Sequence, residues 1–300
     1  MKKLSKVFSA LFCIMLLSAC AAGIQNDETE VRQESTTGVE IEGKDGEEYF
    51  LFQDVEENTY RAELLENVPR NTYDFSHMSV DENTGFRTYH DEENGITSRM
   101  GIDVSEFQGE EIDWEQVRKS GIEFVIIRLG YRAYGESGDL VLDDMFDKNI
   151  KGAMDAGLDT GVYFFSQAVT PTEAVEEAEF VLDHIRPYDI EGPVVYDTEE
   201  IKGDTARTDG NTRQDFTNYC KVFCDTIEHA GYDSMIYANM KWMAFTLDME
   251  ELTDYRFWYA DYHELPQCPY EYTIWQYSEN GTVPGINTPV DLNIWFQKEG

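Results

Sequence analysis

From residue 101 onward the sequence alternates short apolar runs with amphipathic stretches of helical period, and several of the runs end in an acidic side chain. Gly101-Ile102-Asp103-Val104-Ser105 and Val194-Val195-Tyr196-Asp197-Thr198-Glu199 are the clearest cases. A short run that is apolar on both faces suits a parallel strand covered on both sides. Acidic groups at the ends of such strands fall where a barrel's C-terminal face carries its chemistry. Burying a carboxylate is expensive, and cleavage of a glycosidic bond is one of the few tasks that needs two of them.

The strand-and-helix rhythm repeats about five times. Residues 102–104, 124–129, 161–165, 194–197 and 234–238 read as strands. The helix after the first is expected to be capped by Asp113 and stopped at Gly121. A second helix spans 145–156 and closes at Gly157, a third runs from a Thr172 cap to about residue 185, and a fourth runs from 213 to Gly231. Later runs at 257–260, 272–276 and 292–295 leave too little room for full crossover helices, which need a dozen or more residues. The expected fold is therefore α/β, an irregular TIM-like barrel closed by a helix-poor segment.

Ahead of the barrel, Lys2, Lys3 and Lys6 precede an apolar stretch at 7–17 that is too short to span a bilayer. It ends in Leu17-Ser18-Ala19-Cys20, which resembles a lipoprotein signal with Cys20 as the lipidated residue. The expected layout is a signal peptide at 1–19, then Cys20 and a disordered acidic tether at 20–48. A partly ordered extension follows at 49–98, including a hairpin built on Tyr49–Phe52 and residues 60–65, and the barrel domain occupies 99–300. The protein is expected outside the cytoplasm, anchored to the bacterial membrane.

The chain carries 23 Lys and Arg against 60 Asp and Glu, a formal net charge of −37. That balance argues against nucleic acid as a partner and favours a solvated monomer. Cys220, Cys224 and Cys268 are an odd number and imply no disulfide framework. The five histidines are scattered and no His-Glu-x-x-His occurs, so neither a metal nor a cofactor is expected.

In a closed barrel the first and last strands are neighbours. Asp103 from the first strand, Asp197 and Glu199 from the fourth and Asp291 from the last are thus expected to meet in one acidic pocket. Clustered like charges raise at least one pKa, which keeps a carboxylic acid protonated near neutrality for general-acid work. Tyr131, Tyr163, Phe165, Tyr196, Tyr237, Trp258 and Trp275 are expected to line the pocket for sugar faces, with Asp261 beside them.

These residues resemble the glycoside hydrolase family 25 lysozymes, the Chalaropsis-type N-acetylmuramidases. The resemblance covers about residues 99–296. It rests on Gly-Ile-Asp-Val-Ser at 101–105, Ile112-Asp113-Trp114, Phe124-Val125-Ile126-Ile127-Arg128 and Gly161-Val162-Tyr163-Phe164-Phe165-Ser166. Tyr196-Asp197-Thr198-Glu199, Trp275-Gln276-Tyr277-Ser278, Val283-Pro284-Gly285-Ile286 and Val290-Asp291-Leu292-Asn293 complete it. The resemblance implies a (β/α)5(β)3 barrel that hydrolyses the β-1,4 bond between N-acetylmuramic acid and N-acetylglucosamine in peptidoglycan. It implies Glu199 as general acid and Asp197 as second carboxylate, helped by the substrate's N-acetyl group, with Asp103 and Asp291 completing the cluster. A glycan-binding protein on a retained barrel would have no reason to keep Asp197 and Glu199, and a metal-dependent deacetylase would need a His and Asp ligand cluster.

Overall fold

The computed structural model describes residues 39–44 and 47–298; the basic leader, Cys20 and the tether up to residue 38 lie outside the described residues, whereas residues 40–44, expected in the disordered tether, pair with the following strand. Strands β1 (Glu40–Lys44), β2 (Glu47–Gln53) and β3 (Thr59–Glu63) form a separate antiparallel sheet. Strands β4 (Met78–Val80) and β5 (Arg87–Asp91) extend the main sheet outward from the beginning of β6 (Ile96–Val104).

From β6 the chain builds a closed, eight-stranded, barrel-like sheet. Its members are β6, β7 (Phe124–Arg132), β9 (Asp159–Phe165), β10 (Val194–Asp197), β11 (Ser234–Asn239), β12 (Phe257–Ala260), β13 (Ile274–Gly281) and β14 (Val290–Lys298). The short β8 (Leu140–Leu142) folds back on the end of β7. The neighbouring barrel strands are parallel from β6 round to β13, whereas β14 is antiparallel to both β13 and β6.

Helices α1 (Trp114–Lys119), α2 (Phe146–Asp155), α3 (Pro171–Ile185), α4 (Arg213–His229) and the single-turn-scale α5 (Met240–Phe245) occupy the first five crossovers. Asp113 caps α1 by accepting from Gln116 N at 3.0 Å. The α3 cap is Thr170, not Thr172: its Oγ1 accepts from Glu173 N at 3.2 Å. Pro171 then takes the first helical position, where a missing N–H removes no hydrogen bond.

Period-two alternation sorts the strand residues into two cores. Phe124, Ile126, Val195, Met235, Tyr237, Trp258, Ala260 and Ile274 point inward and fill the barrel, joined by Tyr163 and Trp295. Their neighbours Val125, Ile127, Val162, Phe164, Val194 and Ile236 point outward, in the same cluster as Val117, Ile150, Val181 and Phe223 of the helices. Gly101 is an inward position with no space to spare: a Cβ there would lie 2.3 Å from the Phe124 ring. The interior is thus packed up to the level of Asp103, and only the mouth stays open.

Candidate active site

Three strand ends bring four acids to that mouth. Asp103 is the penultimate residue of β6, Asp197 ends β10, and Glu199 follows two residues later. Because β14 runs antiparallel, its first turn of chain lies at the mouth, and Asp291 stands opposite Asp103 in the register. All four line one cavity of about 350 Å³ together with Ser105, Phe107, Gln108, Arg128, Tyr163 and Phe165.

The polar groups around Asp103 all donate toward it. Asn293 Nδ2 and Gln276 Nε2 reach Asp103 Oδ2 at 2.8 and 2.9 Å. Their amide orientations are set from behind. Trp258 Nε1, a donor only, bonds Asn293 Oδ1 at 2.8 Å, and the Tyr237 and Tyr262 hydroxyls bond Gln276 Oε1 at 3.0 and 2.9 Å. Burial raises the Asp103 pKa, while hydrogen bonds from Asn293, Gln276 and Asp291 oppose that rise. Asp103 is therefore the acid best equipped to stay ionised.

Its neighbours then hold protons. Burial, followed by the charge of Asp103 and a hydrogen bond to it, pushes Asp291 up to about 9. Burial and the Asp103 charge push Glu199 up to about 7, with Lys202 countering. Asp197 is raised well above the carboxylate range by burial and then by the Glu199 and Asp103 charges, against the pull of Arg128. Asp197 Oδ1 is buried and bonded to no protein atom, an acceptor left without a partner at the cavity wall.

Arg128 is the cation of the pocket. Its Nε donates to Asp143 Oδ2 at 2.7 Å and its Nη2 to Glu106 Oε1 at 2.8 Å. The guanidinium lies 5.0 Å from the centre of the Phe107 ring and 5.5 Å from that of Tyr131. Phe107 itself is 74% exposed at the cavity wall, an apolar face open to a ligand.

The aromatic residues expected in the pocket divide. Tyr163 and Phe165 line it, and Tyr131 lies near the Arg128 rim. Tyr237 and Trp258 are interior residues that act on Asp103 through Gln276 and Asn293. Tyr196 faces outward: its ring lies 5.2 Å from Phe223 of α4, and Ser166 Oγ donates to its hydroxyl at 2.9 Å. Trp275 also faces outward, 6.0 Å from Phe75, with its Nε1 bonded to the Asp261 carbonyl at 2.7 Å. The Asp261 carboxylate is occupied by Tyr259 OH, His263 and Gln267 N, and it organises a loop instead of lining the cavity. Adjacent residues on a strand face opposite sides, so inward Asp197 and Gln276 require outward Tyr196 and Trp275. The same parity was the available signal for Arg128, Gln276 and Asn293, which the sequence reading left out of the site.

No group of His, Cys, Asp and Glu among the described residues is arranged to hold a metal. The family model described as glycosyl hydrolases family 25 matches residues 102–286. This chain belongs to that family.

The family 25 chain is 27% identical over 194 residues to the autolytic lysozyme of Clostridium acetobutylicum, covering 64% of this chain and 54% of that protein. It therefore spans about half the length of that relative. Among solved structures, the modular autolysin LytC from Streptococcus pneumoniae superimposes with a TM-score of 0.58 at 23% identity, covering 85% of this chain and 57% of that one. A family 25 glycosyl hydrolase from Bacillus anthracis gives 0.54 at 20% identity, covering 72% and 94%. At these identities the structural likeness speaks for the fold.

Proposed function

We propose that this chain is a peptidoglycan hydrolase, a muramidase that cleaves the β-1,4 bond between N-acetylmuramic acid and N-acetylglucosamine on a (β/α)5(β)3 barrel. The observation that carries the reading is four carboxyl groups in one cavity, where burial and the Asp103 charge push Glu199 up to about 7. Glu199 hands its proton to the departing glycosidic oxygen as the bond to the anomeric carbon breaks. Asp197 accepts the N–H of the sugar's N-acetyl group through its unpartnered Oδ1, orienting that group toward the anomeric carbon. Ionised Asp103 supplies the negative potential that a cationic, oxocarbenium-like centre needs. Water then attacks the anomeric carbon, leaving the new hydroxyl there and giving its other proton to the Glu199 carboxylate, which restores the acid. The clostridial relative, named an autolytic lysozyme, supports the same substrate class.

Glu199→Gln is nearly isosteric and is expected to lower the rate of wall clearing by about 10³-fold while the protein still unfolds cooperatively, at a Tm no lower than wild type at neutral pH. Wild-type clearing by that variant would refute the assignment. Digestion of purified peptidoglycan should leave a muramic acid reducing end by mass spectrometry; a glucosamine end would make the enzyme a glucosaminidase.

We also infer an extracytoplasmic, membrane-anchored, monomeric enzyme, on the basis of Leu17-Ser18-Ala19-Cys20 and the net charge. Cys20→Ser should move the protein from the membrane to the soluble fraction, and unchanged fractionation would remove the anchor.

A further inference from the structure

The loop that follows Glu199 meets the turn of the N-terminal hairpin. Asp54 organises that turn: its Oδ1 accepts from Glu56 N and Asn58 N at 3.1 and 2.9 Å, and its Oδ2 from Tyr60 OH at 2.9 Å. The hairpin is fixed to the barrel at two places. Phe52 and Tyr60 stack at 5.3 Å, and both reach Phe245 of α5, at 6.0 and 5.9 Å. Gln53 exchanges two backbone-to-amide hydrogen bonds with Gln267, at 2.8 and 3.1 Å, and Gln267 N in turn donates to Asp261 Oδ2.

From this fixed turn Glu56 forms an ion pair with Lys202 Nζ. Lys241 of α5 lies 5.8 Å from the centre of the Tyr60 ring and 3.8 Å from Glu200. Turn and loop enclose an open groove of about 1000 Å³, lined in part by Glu56, Tyr60, Glu200 and Lys202. Glu199 faces the catalytic cavity and Glu200 faces this groove, so one short loop serves both. The hairpin lies ahead of residues 102–286, the span that matches the family.

We propose that the N-terminal hairpin is a positioning element of the hydrolytic site: Glu56 holds Lys202, and Lys202 holds the loop of Glu199 and counters the charge of that carboxylate. The inference rests on the reading of Glu199 as general acid. Glu199 is faced by Asp103 of β6, by Tyr237 of β11, by Asp197 of β10, by Asp291 of β14, by Tyr262, and by Lys202 of its own loop. Lys202 is faced by Glu56 and Asp54 of the turn and by Glu200. Lys202 is the group in this set that favours the ionised form of Glu199. Removing it should therefore let Glu199 keep its proton to higher pH.

The test is kcat/KM against pH for the full chain on purified peptidoglycan. Lys202→Met should move the alkaline limb up by a few tenths of a pH unit, the scale of one solvent-screened charge. Its plateau should fall about threefold, as should that of Glu56→Gln, because an exposed ion pair carries no more than this. The double variant should lose no more than either single one. Exchanging the charges, Glu56→Lys with Lys202→Glu, should restore the plateau while moving the limb further up, since an acid then faces Glu199. Melting curves verify that each variant is folded. A wild-type limb in Lys202→Met, wild-type plateaus in both single variants, or a double loss equal to the product of the single losses overturns the proposal. Glu199→Gln is run alongside: activity retained there refutes the general acid itself, whatever positions 56 and 202 do.

Discussion

Asp103 governs the proton on Glu199 although neither bonds the other. Every polar neighbour of Asp103 donates to it, so it ionises first, and its charge is the second-largest cause of the rise at Glu199. On the proposed role of Glu199 as general acid, which must be protonated to act, kcat/KM should fall as pH rises through about 7. Asp103→Asn removes the charge, and the alkaline limb should move to lower pH, read from a pH–rate profile. A limb that stays in place would show that burial alone sets the proton affinity of Glu199. Asp103, Asp197, Glu199 and Asp291 were legible in the sequence because each stands at the end or start of a short apolar run, a position that alternation alone locates. Chemistry alone suggests Tyr196 and Trp275 for the pocket, but their immediate neighbours Asp197 and Gln276 take the inward side. Gln276 and Asn293 carry no charge and no motif of their own; their importance lies in what they donate to, which is a matter of contact.

At the scale of the element, strands and helices follow from local pattern, and their ends follow from caps. The third helix begins two residues earlier than its Thr172 reading because Thr170, not Thr172, has Pro171 as its next residue and Glu173 N within reach. The strand β6 depends on Gly101 for a different reason from backbone freedom. The Phe124 ring occupies the volume a side chain would need, so Gly101→Ala should overpack the barrel interior and destabilise the fold by about 1–3 kcal/mol, measured by denaturant titration. Unchanged stability would mean that the Phe124 ring moves aside freely. That the β2–β3 hairpin packs on the main domain was legible in its apolar pattern, but its places of contact at α5 and the 261–267 loop were not, because they depend on pairings such as Gln53 with Gln267 that lie more than two hundred residues apart.

At the scale of the whole molecule, the acidic mouth sets the pH dependence of folding. Asp291 moves from an ordinary 3.8 to about 9 in the folded chain. Between those values the folded state binds more protons than the unfolded one, so stability declines as pH rises through the window. An Asn at this position does not titrate. Asp291→Asn should therefore raise Tm clearly at pH 8, with the gain vanishing near pH 4. An equal gain at both pH values would point to packing in place of proton linkage. The site thus holds charges together at the expense of stability, in the pH range where one of them is ready to give up a proton.

The reversed direction of β14 has an outcome for the chain's path. Lys298 lies opposite Ile96 in the register, so the polypeptide enters and leaves the barrel on the same side, at the end away from the acids. A reporter or binding module fused after Lys298 would hang beneath the floor and leave the acidic mouth clear from above.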